Sequence, residues 1–186
     1  MNLILASASP RRQELLRLIA EDFTVCPADA DESLPAGLPI TEQLEMLARR
    51  KAAAVFAEHP DCAVIGADTM VVLDGAPLGK PQDAEDAKRM LRALSGRTHE
   101  VVTGFAVLTP AGGRADSRVT RVHFRALTQD EIDAYVATGE PLDKAGAYGI
   151  QGRGAALITG IEGDYFSVVG LPVEGLYCMM KEMGIL

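Results

Sequence analysis

Three places in this chain carry residue types that packing alone does not explain: the run Ser7-Ala8-Ser9-Pro10-Arg11-Arg12, the lysine at position 51, and Asp68 at the end of an apolar stretch. In the first, two hydroxyls and two guanidinium groups meet free backbone N–H groups at a strand-to-helix junction. That is what phosphate oxygens require, although a solvated helix start would also look this way. Asp68 follows Val64-Ile65-Gly66-Ala67, which puts a carboxylate just past a buried strand, where open α/β sheets form ligand crevices. A turn-capping aspartate is the plain alternative.

Lys51 falls in the middle of the stripe formed by Leu44, Leu47, Ala48 and Val55, whereas Arg49 and Arg50 point away. It either snorkels past the edge of the core or faces a cleft and binds an anion there. Gly79-Lys80-Pro81 adds a cation in a loop, held extended by the proline. The glycine-rich segment from Gly146 to Gly154 lets backbone approach a ligand closely, and it leaves Tyr148 and Gln151 as its distinctive polar groups. A glutamine can read a base edge with both a donor and an acceptor. A sharp bend between strands would need the same glycines. His59, His99 and His123 are isolated and read as surface or hydrogen-bonded residues rather than ligands.

Several elements must position these groups. Leu3 to Ala6 reads as a buried strand, followed by a helix capped at Ser9-Pro10 with Leu15, Leu16 and Ile19 facing inward. A connection over 27–39 leads to a helix capped by Thr41 and running to about Ala57. A strand from Ala63 to Ala67 ends at Asp68, and Met70 to Leu73 continues extended to the Asp74-Gly75 turn. A helix over 84–94 stops at Ser95-Gly96, and strands over 100–108 and 117–126 form a hairpin through Pro110-Ala111-Gly112-Gly113. Thr128-Gln-Asp-Glu131 is a capping box opening a helix to about Thr138. A strand over 155–161, a turn near Gly163-Asp164, another strand, and a helix from about Pro172 complete the chain. Interleaved strands and helices give an α/β class with a mixed twisted sheet and flanking helices.

The 186 residues, 48% of them hydrophobic, suffice for one compact domain or two lobes sharing a sheet. Cys26, Cys62 and Cys178 are odd in number and far apart, so they indicate neither a disulfide framework nor a zinc site. The apolar opening is too short for a signal peptide, and no stretch reaches the roughly 20 apolar residues of a membrane span. A cytoplasmic protein without a membrane partner is expected. A net charge of −8 argues against a nucleic-acid coat but leaves a small anionic ligand open, held by a local cation cluster. Phosphate-binding loops of the G-x-x-x-x-G-K-[ST] type, G-x-G-x-x-G, G-x-S-x-G and H-E-x-x-H are all absent from the sequence.

Ser7 to Arg12, Glu32, Lys51, Gly66-Ala67-Asp68-Thr69, Gly79-Lys80-Pro81, Ser95-Gly96-Arg97-Thr98-His99, Asp143 to Gly152 and Val169-Gly170-Leu171-Pro172 together resemble, in order and over almost the whole chain, the Maf family of nucleotide pyrophosphatases. Arg12, Lys80, Thr69 and Gly149-Ile150-Gln151-Gly152 follow the branch acting on dTTP and UTP rather than the 7-methyl-GTP branch. The resemblance implies a single Maf-like domain over 1–186, with two lobes around a deep cleft as in the inosine triphosphate pyrophosphatases. It also implies a homodimer and a divalent cation, Mg²⁺ or Mn²⁺.

Carried onto these residues, the resemblance makes Asp68 the base that deprotonates water. Glu32, with Asp68, becomes a metal ligand, and Ser7, Arg11, Arg12, Lys51 and Lys80 become phosphate contacts. Thr69 and Gln151, with Arg11 or Arg12, would select the base. Two alternatives stand beside this: cleavage of modified or non-canonical nucleotides, and a non-catalytic nucleotide-binding regulator of septum formation.

Overall fold

The computed structural model describes residues 1–34 and 37–186, so residues 35 and 36 of the expected 27–39 connection lie outside the described residues. The element order is β1 (Leu3–Leu5), α1 (Pro10–Leu16), β2 (Thr24–Val25), α2 (Ile40–Phe56), β3 (Ala63–Leu73), β4 (Ala76–Leu78), α3 (Ala84–Leu94), β5 (Thr98–Thr109), β6 (Gly112–Phe124), α4 (Gln129–Val136), β7 (Ile158–Glu162), α5 (Tyr165–Val169) and α6 (Val173–Glu182). The strands make one mixed seven-stranded sheet in the order β2-β1-β3-β5-β6-β7, with β4 paired to β3. β1 runs parallel to β2 and β3, while β4 and β7 pair antiparallel to β3 and β6. The expected α/β class with a mixed sheet is the one observed.

Contacts divide the chain into two compact units. The first comprises Met1–Thr69, Thr103–Arg118 and Gly170–Leu186; the second comprises Met70–Val102 and Val119–Val169. In the first, Leu3, Ile4 and Leu5 are all buried, as a central parallel strand covered on both faces requires. Ile4, Ala6, Ala52, Val55 and Val64 form a core between α2 and the sheet. α1 opens with extended Ser9 at the cap and proline at its first position, and it buries Leu15 and Leu16.

The second unit closes around Met90, Leu91 and Leu94 of α3, Ile132 and Val136 of α4, and Val122 and Phe124 of β6. The Asp83 side chain caps α3 by accepting the Asp86 N–H, and the expected capping box of Thr128 and Glu131 opens α4. Asp74 and Gly75, at φ 52° and 78°, make the tight β3–β4 turn.

Four local expectations are corrected. Asp68 does not end a strand, because β3 runs unbroken from Ala63 to Leu73 and carries the carboxylate inside it. Helix α2 starts at Ile40 behind Pro39, so Thr41 sits in the first turn rather than at the cap. The strand expected over 155–161 begins only at Ile158, since residues 152–157 coil as a 3₁₀ helix. The strand expected after Gly163-Asp164 is the helix α5. There the Asp164 carboxylate accepts the N–H groups of Phe166 and Ser167, satisfying first-turn donors that an extended backbone would have left to a neighbouring strand. Among the described residues no helix is long and apolar enough to cross a membrane.

Candidate active site

Helical spacing turns Lys51 inward, and two glycines bring its helix close to the sheet. A Cβ on Gly66 would lie 2.2 Å from the Ala48 carbonyl oxygen, and one on Gly104 would lie 2.4 Å from that of Leu44. Only bare backbone on β3 and β5 lets α2 sit this close to the sheet. From that position the Lys51 ammonium reaches Asp68 Oδ1 at 2.6 Å and Glu32 Oε1 at 2.7 Å. The lysine side chain is 13% exposed, Asp68 19% and Glu32 69%. Lys51 therefore does not snorkel to water; it joins a half-buried carboxylate of β3 to an exposed one from the connection before α2. This pairing also accounts for an aspartate inside a strand, because its charge is met within the first unit and need not leave the sheet.

Arg12 forms a second centre in the same unit. Its Nε donates to the Gly170 carbonyl at 2.8 Å, Nη1 to Ser7 Oγ at 3.3 Å and Nη2 to Thr69 Oγ1 at 3.2 Å. Thr69 Oγ1 in turn lies 2.8 Å from Thr103 Oγ1. Burial lowers the Arg12 pKa, Asp68 raises it again, Arg11 lowers it and Glu32 raises it, so the arginine shares one electrostatic field with the Lys51 centre. Arg11, half-buried, makes no ion pair or hydrogen bond among the described residues.

The structure thus gathers Ser7, Arg12, Glu32, Lys51, Asp68 and Thr69 in the first unit, with Arg11 beside them. Lys80 and Gln151 belong to the second unit. Lys80 is exposed in a loop tied down by the hydrogen bond from Gly146 N–H to the Gly79 carbonyl, 3.0 Å. Gln151 is exposed and extended, at the entry of the 3₁₀ turn over 152–157. Tyr148, expected as a distinctive polar group of this segment, is buried instead. Its hydroxyl meets His99 Nε2 at 2.7 Å, and both rings stack edge-on with Phe124. His99 is hydrogen-bonded, as expected for an isolated histidine, and burial, with a smaller contribution from His123, lowers its pKa to about 4.

Sequence reading missed Thr103, whose buried hydroxyl interrupts the otherwise apolar run from Val101 to Leu108 in β5, and it missed Tyr135 and Glu140, which no local pattern marks. A depression of about 290 Å³ in the second unit, lined by Val72, Asp74, Thr98, His99, Glu100 and Arg121, contains none of the candidate residues.

Among the described residues no three His, Cys, Asp or Glu side chains converge on one point. Glu32 and Asp68 do converge, since both lie within hydrogen-bond distance of one nitrogen. Two carboxylates do not make an all-protein cage. They do match a Mg²⁺-type ion that takes its remaining ligands from water and substrate phosphates.

Residues 2–183 match the family described as Maf-like protein. The chain is 58% identical over 185 residues to the dTTP/UTP pyrophosphatase of Moorella thermoacetica, covering 98% of this chain and 95% of that one. It is 52% identical over 186 residues to the dTTP/UTP pyrophosphatase of Koribacter versatilis, covering 100% and 96%. Among solved structures, a HAM1 protein from Coxiella burnetii superposes with a TM-score of 0.55 at 15% identity, over 98% and 99% of the two chains. That likeness concerns the fold alone.

Proposed function

Because the chain belongs to the Maf family, we propose that it is a nucleoside triphosphate pyrophosphatase, hydrolysing dTTP and UTP to the monophosphate and pyrophosphate. The observation that carries the reading onto this chain's own residues is the half-buried Asp68 with Lys51 and Glu32 around it, in relatives' company at 58% and 52% identity.

In this reading Asp68 accepts a proton from a water whose oxygen attacks the α-phosphorus. The bond between that phosphorus and the bridging oxygen breaks, and pyrophosphate carries away the bonding pair. Lys51 balances the two carboxylates with two of its three N–H donors and keeps the third for a phosphate oxygen. Arg11, uncommitted among the described residues, turns to the phosphates without losing a protein contact, and Lys80 has the same freedom. Arg12 is already anchored by Gly170, Ser7 and Thr69, so it presents a fixed cation and fixes Ser7 and Thr69 in turn.

Glu32 and Asp68 are the groups that hold a divalent cation, Mg²⁺ or Mn²⁺, which when bound supplies neutralising charge to the phosphates. Thr69 and Gln151, with Arg11 or Arg12, choose the base. The same reading takes the enzyme to be a cytoplasmic homodimer, with sedimentation as the check on its size.

The deciding experiment is pyrophosphate release with Mg²⁺ or Mn²⁺ from dTTP, UTP, CTP, ATP, GTP, ITP and 7-methyl-GTP, with Asp68→Asn as control. Release from dTTP and UTP that the control abolishes is the expected result. Release from another base alone keeps the chemistry and overturns the base assignment, and silence across the panel moves the protein to a binding role.

A further inference from the structure

The segment that carries Gln151 is held at one end by the Glu140 carboxylate and at the other by the Tyr135 hydroxyl, which is itself bonded to that carboxylate. Glu140 Oε1 accepts from the Tyr135 hydroxyl at 2.9 Å and from the Gly154 N–H at 3.1 Å, and Oε2 accepts from the Arg153 N–H at 3.1 Å. The Tyr135 hydroxyl, having donated to Glu140, accepts the Gly149 N–H at 3.2 Å. Gly149, through Tyr135, and Gly154, through Glu140, are therefore tied to one hydrogen-bonded pair of side chains, and the residues between them, Gln151 included, form a closed loop.

The glycines suit this clamp. A Cβ on Gly154 would stand 2.1 Å from the Gly149 carbonyl oxygen and 2.7 Å from the Tyr135 hydroxyl. At Gly152, with φ 69°, it would stand 2.9 Å from Glu140 Oε2. Glu140 is itself fixed: its N–H donates to Thr138 Oγ1, and its carbonyl accepts from the Lys144 ammonium at 2.6 Å. Burial raises the Glu140 pKa, but the Arg153 and Gly154 N–H groups, Tyr135 and Lys144 outweigh it and keep the group an acceptor-only carboxylate. Gln151 itself is exposed and bonds to nothing among the described residues, so only its backbone is held.

We propose that Glu140, with Tyr135, is a positioning residue for base selection, fixing the backbone from which Gln151 presents its carboxamide to the nucleobase. This rests on Gln151 being the base contact of the proposed pyrophosphatase. A carboxamide offers one donor and one acceptor, and a shift well below 1 Å separates a formed hydrogen bond from a lost one. Selection therefore needs a rigid loop as well as the right side chain. Nothing in the clamp touches the reacting phosphorus, so disturbing it should alter which base is accepted more than how fast a bound nucleotide is cut.

The test measures kcat and KM for dTTP, UTP and CTP in the full-length wild type, Glu140→Gln, Tyr135→Phe, Gln151→Ala and the double variant Glu140→Gln/Gln151→Ala. Glu140→Gln keeps the shape but turns an amide donor toward a backbone N–H. It should lower the dTTP-over-CTP ratio of kcat/KM by ~10-fold, mainly through KM, the equivalent of one charged hydrogen bond. Tyr135→Phe should lower it by ~3-fold in the same direction, and because it keeps the ring it decides the matter if Glu140→Gln does not fold.

The ratio is independent of the fraction of active enzyme, so a merely structural role leaves it unmoved. If Glu140 acts through Gln151, the double variant should be no less selective than Gln151→Ala alone. An altered ratio in Gln151→Ala with unaltered ratios in both clamp variants overturns the clamp and spares the base contact. An unaltered ratio in Gln151→Ala overturns the base contact and the clamp with it, and an additive fall in the double variant overturns the route through Gln151.

Discussion

Lys51 and Asp68 depend on each other, and their variants should fail in different ways. Asp68→Asn keeps the size and one acceptor of the side chain, so Lys51 retains a neutral partner and the fold is preserved. What is lost is the proton acceptor. We expect kcat to fall by ~10²-fold or more with little change in melting temperature, measured by pyrophosphate release and thermal unfolding on the same sample. A variant with wild-type kcat would make Asp68 a structural residue of β3. Lys51→Met removes the cation and leaves two carboxylates facing one another, one of them half-buried. Fully buried pairs broken on one side lose about 3–5 kcal/mol; with Glu32 exposed, the cost here should be about 1–3 kcal/mol, seen as a lower melting temperature together with lost activity. A rise in melting temperature would mean that the carboxylates repel less than this geometry requires. At this scale Lys51 was legible because helical spacing forces it into the apolar stripe. Glu32 was legible only through family resemblance, since nothing about an acidic residue in a loop marks where the loop returns.

The elements explain how such a pair is held. Helix α2 lies on β3 and β5 at the distance set by Gly66 and Gly104, and Lys51 stands one residue before Ala52, whose N–H a Cβ on Gly66 would approach to 2.8 Å. Gly104→Ala would place a methyl group 2.4 Å from the Leu44 carbonyl and must push the helix outward. Overpacking of this kind costs about 1–3 kcal/mol. Because the displaced helix carries Lys51, activity should fall further than the lost stability explains, measured as kcat per folded molecule well below the melting transition. Full activity per folded molecule would show that the helix yields elsewhere. Elements whose signals are local were legible in the sequence: the capping box of α4, the proline-started α1 and the apolar periodicity of α3. Those decided by distant partners were not. β2 is two residues long and exists through its pairing with β1. Tyr-Phe-Ser-Val-Val reads as a strand until the Asp164 cap, itself held by the Thr120 hydroxyl accepting the Asp164 N–H, turns it into α5. β3 reads as two pieces because its interruption is a charge, and the charge is answered by Lys51 of α2, 17 residues earlier.

For the molecule as a whole, the response to acid is set partly by a buried histidine of the second unit, His99. His99 is 2% exposed, stacked against Phe124 and Tyr148, with Nε2 bonded to the tyrosine and Nδ1 without a protein partner among the described residues. Its imidazole stays neutral in the folded state down to about pH 4, whereas the unfolded chain takes up the proton near 6.5. Between those values the unfolded state binds more protons, so stability falls as pH drops through the window, and the loss is complete only below about pH 4. A shift of this size corresponds to about 3 kcal/mol, a large share of the net stability of a domain. The excess of acidic over basic residues behind the net charge of −8 also responds to acid, since neutralising acidic groups relieves self-repulsion. The histidine contribution is isolated by slope rather than by absolute stability. In urea unfolding at intervals from pH 7.5 to 4.5, His99→Gln should lose stability with falling pH less steeply than the wild type, whatever its stability at the start. Parallel curves would place the proton uptake on other groups and leave His99 with a packing role alone.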